Sequence, residues 1–155
     1  MDPVILQKPA DCEIVTERLI HYSPSAIFRA FTDPDILKIW WGPAGFTNTF
    51  HSFDLRPGGK WIFTMHGPEK GNYQNESEFL VIEPPSRLIF NHISPPVFQV
   101  QVYFLPAGTD QTHLIFKQVF HTVAECEKIR KYTVGKNDEN LDKLEKVLGT
   151  SASSV

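Results

Sequence analysis

The chain has 155 residues, 41% hydrophobic and 21% charged, with a formal net charge of -3. That is enough for one domain with a real core, and short for two. A mildly acidic chain with no basic run argues against nucleic acid or a membrane surface as partner, and no apolar run approaches the ~20 residues of a membrane-spanning helix.

Residues 1–10 lack periodicity, contain Pro3 and Pro9, and read as an N-terminal arm. Its opening has no basic stretch followed by an apolar one, so no signal peptide is read and a cytoplasmic location is expected. Residues 12–20 alternate as a strand does, with Ile14, Thr16, Arg18 and Ile20 on one side. Ser23-Pro24 and Asp33-Pro34 are each a capping residue followed by proline at the first helical position, so two short helices follow. Ile27, Ala30 and Phe31 form the apolar stripe of the first, and Ile36, Leu37 and Trp40 that of the second, which Gly42-Pro43 stops.

Between residues 46 and 121 the punctuation changes. Turn signals at Pro57-Gly58-Gly59, 67–71, Pro84-Pro85, Pro95-Pro96 and Pro106-Ala107-Gly108 separate six strand-like runs, an antiparallel meander. From Thr122 the character is helical again, with a short piece over 124–131. After Gly135, Leu141, Leu144 and Leu148 recur at helical spacing, and Val134 and Asn137 extend their face, while Lys143 falls on the wet side. Strands clustered apart from helices make the fold α+β, a curved antiparallel sheet wrapped around a long C-terminal helix. The domain is expected over 11–150, with 151–155 a disordered tail.

Alternation sorts the sheet into an aromatic face and a wet one. Trp61, Phe63 and Met65 oppose Lys60, Thr64 and His66; Phe98, Val100, Val102 and Phe104 oppose Gln99, Gln101 and Tyr103. Leu114, Phe116, Gln118 and Phe120 likewise oppose His113, Lys117 and His121. Polar Gln118, Asn137 and His92 fall on apolar faces. Either backbone or buried water satisfies them, or they line a cavity and orient a ligand. Adjacent Trp40 and Trp41 cannot both face inward, so one packs in the core and the other lies near the cavity mouth.

Familiar chemistry is sparse. Pro57-Gly58-Gly59 joins two strands and precedes no helix, so it is no phosphate loop. The six histidines show no metal-ligand spacing, no nucleophile elbow occurs, and neither metal nor cofactor is expected. Cys12 and Cys126 are isolated thiols that fit a reducing compartment. His66, Tyr73, Asn75 and His92 are the polar set left over. They move a proton in a cyclase-like reaction or tie down the 67–71 loop, and no catalytic residue is assigned.

Trp40-Trp41-Gly42-Pro43, Asp54-Leu55-Arg56-Pro57-Gly58-Gly59-Lys60-Trp61, Phe63-Thr64-Met65-His66-Gly67-Pro68 and Glu83-Pro84-Pro85-Ser86-Arg87-Leu88 resemble the SRPBCC superfamily. More narrowly, they resemble the domain similar to the C-terminal half of the heat-shock-protein-90 ATPase activator. Leu141-Asp142-Lys143-Leu144 followed by Leu148 resembles its closing helix, and the likeness runs from about residue 13 to 148. The resemblance implies a helix-grip fold over a deep cavity. It implies less about activity, since relatives include lipid and hormone carriers, polyketide aromatase/cyclases and co-chaperone domains.

The expected function is a small-molecule binding protein with an internal hydrophobic cavity, its ligand apolar or aromatic. The cavity is expected from Trp40, Trp41, Trp61, Phe63 and Met65, from Phe79, Phe90, His92 and Val100, and from Phe116, Gln118, Asn137 and Leu141. The alternatives are a cyclase, dehydratase or hydrolase of the same fold, and a co-chaperone-like interaction domain of the stress response. A chaperone partner is disfavoured, because no second domain or long charged linker is present; a homodimer is compatible with the sequence.

Overall fold

The computed structural model describes residues 5–133 and 135–153. After a single 3-10 turn at Ala10–Cys12, the chain runs through Glu13–Ile20 (β1), Pro24–Thr32 (α1), Pro34–Trp40 (α2), Thr47–Phe53 (β2) and Lys60–His66 (β3). It continues through Asn72–Glu83 (β4), Arg87–His92 (β5), Phe98–Gly108 (β6), Gln111–Val119 (β7), Val123–Thr133 (α3) and Lys136–Ser153 (α4). The seven strands form one antiparallel sheet in the order β1-β7-β6-β5-β4-β3-β2. Each meander strand pairs with its sequence neighbour, and β1 closes on β7.

The helix starts form as their sequences dictate. Ser23 Oγ accepts a hydrogen bond from Ala26 N at 3.2 Å, and Asp33 Oδ1 accepts one from Asp35 N at 3.0 Å, each satisfying a donor that the helix leaves free. Pro57-Gly58 makes the expected type II turn: Gly58 has φ +84 and Gly59 N donates to Arg56 O at 2.8 Å. Gly59 is fixed by contact, since a Cβ there would lie 2.0 Å from Asp54 O.

Leu141, Leu144 and Leu148 of α4 join the sheet's aromatic face in one buried cluster with Trp40, Trp61, Phe79, Phe90, Phe104 and Phe116. Arg18 on β1 clamps α4 to the sheet through Asp142 (2.8 Å) and Glu145 (3.1 Å). A smaller cluster of Ile14, Phe120 and Cys126, joined by Ile129, seats α3.

Four details depart from the sequence reading. The outer face is not wholly wet: Gln99 and Gln101 are buried, and the backbone of Leu6 bonds both side chains, at 2.9 and 3.0 Å. The arm is therefore docked at Leu6, with residues 1–4 outside the described residues. Helix α4 runs to Ser153, into the expected tail, because nothing from Thr150 onward breaks it; Ser154 and Val155 lie outside the description. Lys143 is half-buried rather than wet, donating to Pro43 O at 3.3 Å and Phe46 O at 3.1 Å. Val134, expected to extend the helix face, also lies outside the described residues.

A candidate ligand pocket between sheet and helices

Strand register determines which side chains share the inner face. One row across the sheet runs Phe53, Trp61, Ser77, His92, Phe98; the next runs Phe79, Phe90, Val100, Gln118, Ile14. Between Phe50 and Ser52 the register shifts, and this bulge lets both Phe50 and Phe53 pack on Trp61, at 5.5 and 5.8 Å between ring centroids. A strict two-residue alternation would have sent one of them outward.

A pocket of about 340 Å³ opens where these rows meet α3 and the first turns of α4. Ten of the thirteen residues expected at a cavity line it: Trp41, Trp61, Phe63, Met65, Phe90, His92, Val100, Phe116, Gln118 and Asn137. The other three do not. Trp40, Phe79 and Leu141 are at most 2% exposed, packed in the core behind the pocket. The tryptophan pair divides as expected: Trp40 Nε1 donates to Ala30 O at 2.9 Å in the core, while Trp41 is half-buried at the pocket wall.

Apart from Asn137, sequence reasoning missed the pocket's helical side. Ile129, Tyr132 and Thr133 of α3 close one end, and Asn140 holds the mouth by accepting from Gly42 N at 3.1 Å. Gly42 has φ +98, a conformation that residues with side chains rarely adopt, and this favours glycine where the chain turns past the pocket. Asn140 was findable, standing three residues after Asn137 on the same face. The α3 residues were not: the polar sequence of 123–133 carries one buried residue, Cys126, and no clear stripe.

The polar candidates fall into separate places. His66 sits on the outer face, between Thr49 Oγ1 and Asn72 Oδ1, each at 2.7 Å; its bond to Asn72 straps the hairpin loop, and it cannot reach the pocket. Tyr73 is 54% exposed and leans on Phe46 beside the mouth. His92 and Asn75 do come together within the pocket wall. His92 Nδ1 faces Pro96 O at 2.8 Å, Nε2 faces Asn75 Oδ1 at 2.8 Å, and its ring stacks on Phe98 at 4.7 Å. Burial pulls its pKa below the ordinary 6.5, against the opposing pull of the Pro96 and Ser94 backbone bonds. With both ring nitrogens engaged, His92 presents no free base to a bound molecule.

Asn137 Nδ2 donates to Gln118 Oε1 at 2.9 Å. Trp61 Nε1 and Ser77 Oγ, by contrast, are buried with no hydrogen-bond partner among the described residues. Such groups cost about 1–3 kcal/mol each. Among the described residues no carboxylate lines the pocket. Among the described residues no group of His, Cys, Asp and Glu is arranged to hold a metal ion, and no helix is long and apolar enough to cross a membrane.

This arrangement has relatives. The family model for activator of Hsp90 ATPase homolog 1-like proteins matches residues 21–149. The chain belongs to that family. It is thereby a member of the SRPBCC superfamily, a fold family that commonly binds hydrophobic ligands. A search of curated proteins found no match. Among solved structures, a Nitrosomonas europaea protein is 21% identical with a TM-score of 0.84, covering 94% of this chain and 99% of its own. A Rhodobacter sphaeroides protein is 21% identical at TM-score 0.82, covering 93% and 97%. The AHSA1 protein from Silicibacter pomeroyi is 20% identical at 0.74, covering 90% and 99%. At these identities the likeness shows the helix-grip fold that the family shares.

Proposed function

We propose that this family member is a binding protein for one small apolar or aromatic molecule, held between sheet and helices without a cofactor. The supporting observation is the lining of the pocket by Trp41, Trp61, Phe63, Phe90, Phe98 and Phe116. Its size agrees: ligand sites run from about 300 to 1,000 Å³, and an engineered apolar cavity of about 150 Å³ takes benzene. About 340 Å³ therefore suits a one- or two-ring molecule. On this reading the protein is a cytoplasmic carrier, its partner a small molecule rather than nucleic acid, a membrane or a chaperone.

The test is titration with an apolar naphthalene fluorophore, followed by quenching of tryptophan emission. Wild type should saturate at one equivalent. Val100→Trp, which fills the pocket from its floor, should remove binding while circular dichroism shows the fold intact. Equal binding by both proteins would move the probe elsewhere and overturn the proposal.

A further inference from the structure

Trp61 and Ser77 face each other directly across β3 and β4, and both line the pocket. Each residue is 1% exposed, and among the described residues neither Trp61 Nε1 nor Ser77 Oγ has a partner. Neighbouring side chains pair with each other instead. Asn75 and His92 bond one another, and Gln118 bonds Asn137. The comparison with Trp40 is instructive, because that wholly buried indole donates to Ala30 O. Phenylalanine and alanine would fill the Trp61 and Ser77 positions without burying unpaired polar atoms.

We propose that the pocket's ligand carries a neutral accepting oxygen, a carbonyl on an aromatic or apolar body, which takes hydrogen bonds from Trp61 Nε1 and Ser77 Oγ. This rests on the pocket being a ligand site. An indole N–H only donates, so the ligand must accept; a serine hydroxyl can donate to the second lone pair of the same oxygen. Neutrality follows from the surroundings. A carboxylate sent to this depth would be buried without an ion partner, since the cation lining the mouth, Lys136, has its side chain 53% exposed and lies 4.0 Å from Glu139. Both atoms are buried, so the oxygen reaches them only when side chains packed on Trp61, a set that includes Trp41 at 5.2 Å between ring centroids, give way.

Acetylnaphthalene and ethylnaphthalene, equal in ring and size and differing in the carbonyl, are titrated calorimetrically into wild type, Ser77→Ala, Trp61→Phe and the double variant. The ratio of acetyl to ethyl affinity should fall about threefold to tenfold in Ser77→Ala and further in the double variant, as loss of neutral hydrogen bonds predicts. Ethylnaphthalene registers any change of packing that the substitutions cause at the pocket wall, so the acetyl-to-ethyl ratio isolates the carbonyl. A ratio that neither substitution changes overturns the inference and leaves the pocket reading standing. Failure of both probes to bind wild type overturns the pocket reading first. Ser77→Ala alone, without ligand, should keep or raise the urea midpoint. A clear fall would mean that the hydroxyl is satisfied within the fold, and the inference fails on that result too.

Discussion

Leu144→Ala tests the grip of α4 on the sheet. Leu144 is fully buried, between Leu141 and Leu148 on the helix face that joins the aromatic cluster. The substitution removes about three methylene equivalents, at about 0.8 kcal/mol each, or about 2.4 kcal/mol. A residual void of roughly 50 Å³ adds about 1 kcal/mol at about 24 cal/mol per Å³. The sum, about 3.5 kcal/mol, corresponds to a fall in Tm of roughly 7–14 °C for a chain of this size. Urea unfolding followed by far-ultraviolet circular dichroism measures it, with the slope against denaturant unchanged. Lys146→Ala, on the exposed side of the same helix, should cost under about 0.5 kcal/mol. A Leu144→Ala loss below about 1 kcal/mol, or equal losses for the two variants, would refute the assignment of the buried face.

Arg18→Met should cost about 1 kcal/mol at low salt and much less in molar salt, because Asp142 is largely and Glu145 partly exposed, so both are screened; parallel melts at the two salt levels check it. Lys143→Ala should cost about 1 kcal/mol by freeing the Pro43 and Phe46 carbonyls, measured by the urea midpoint. His92 gives a pH dependence. Its folded pKa is depressed, so its stabilising contribution is complete above pH 6.5 and declines as pH falls below that value, where the unfolded chain takes the proton first. Urea midpoints across that range should fall in wild type and flatten in His92→Gln.

The inner face of the sheet was legible because period-two alternation survives wherever one side is covered: Trp61, Phe63, Val100 and Phe116 all point where the pattern sends them. The capped prolines of α1 and α2 and the turn at Pro57-Gly58 were legible for the same reason, each being a local signal with a local cause. What escaped depends on distant partners. The bulge before Ser52 brings Phe50 and Phe53 to one side, and no residue in Thr49-Phe50-His51-Ser52-Phe53 announces it. Alternation already put His66 on the wet face and His92 on the apolar one, but not their partners: Thr49 and Asn72 hold the first, Asn75 and Pro96 the second. Lys143 appeared solvated by helix period alone; its long stem carries the ammonium back to the loop at 43–46.

The three tryptophans report directly on the central claim. Their indole N–H resonances are followed in a proton–nitrogen correlation spectrum while ethylnaphthalene is titrated in. Trp41 and Trp61, at the pocket wall, should shift strongly and saturably, and Trp40, bonded to Ala30 O behind them, should stay close to its free position. Three stationary indole signals, or shifts confined to residues of the outer face, would contradict a ligand pocket between sheet and helices.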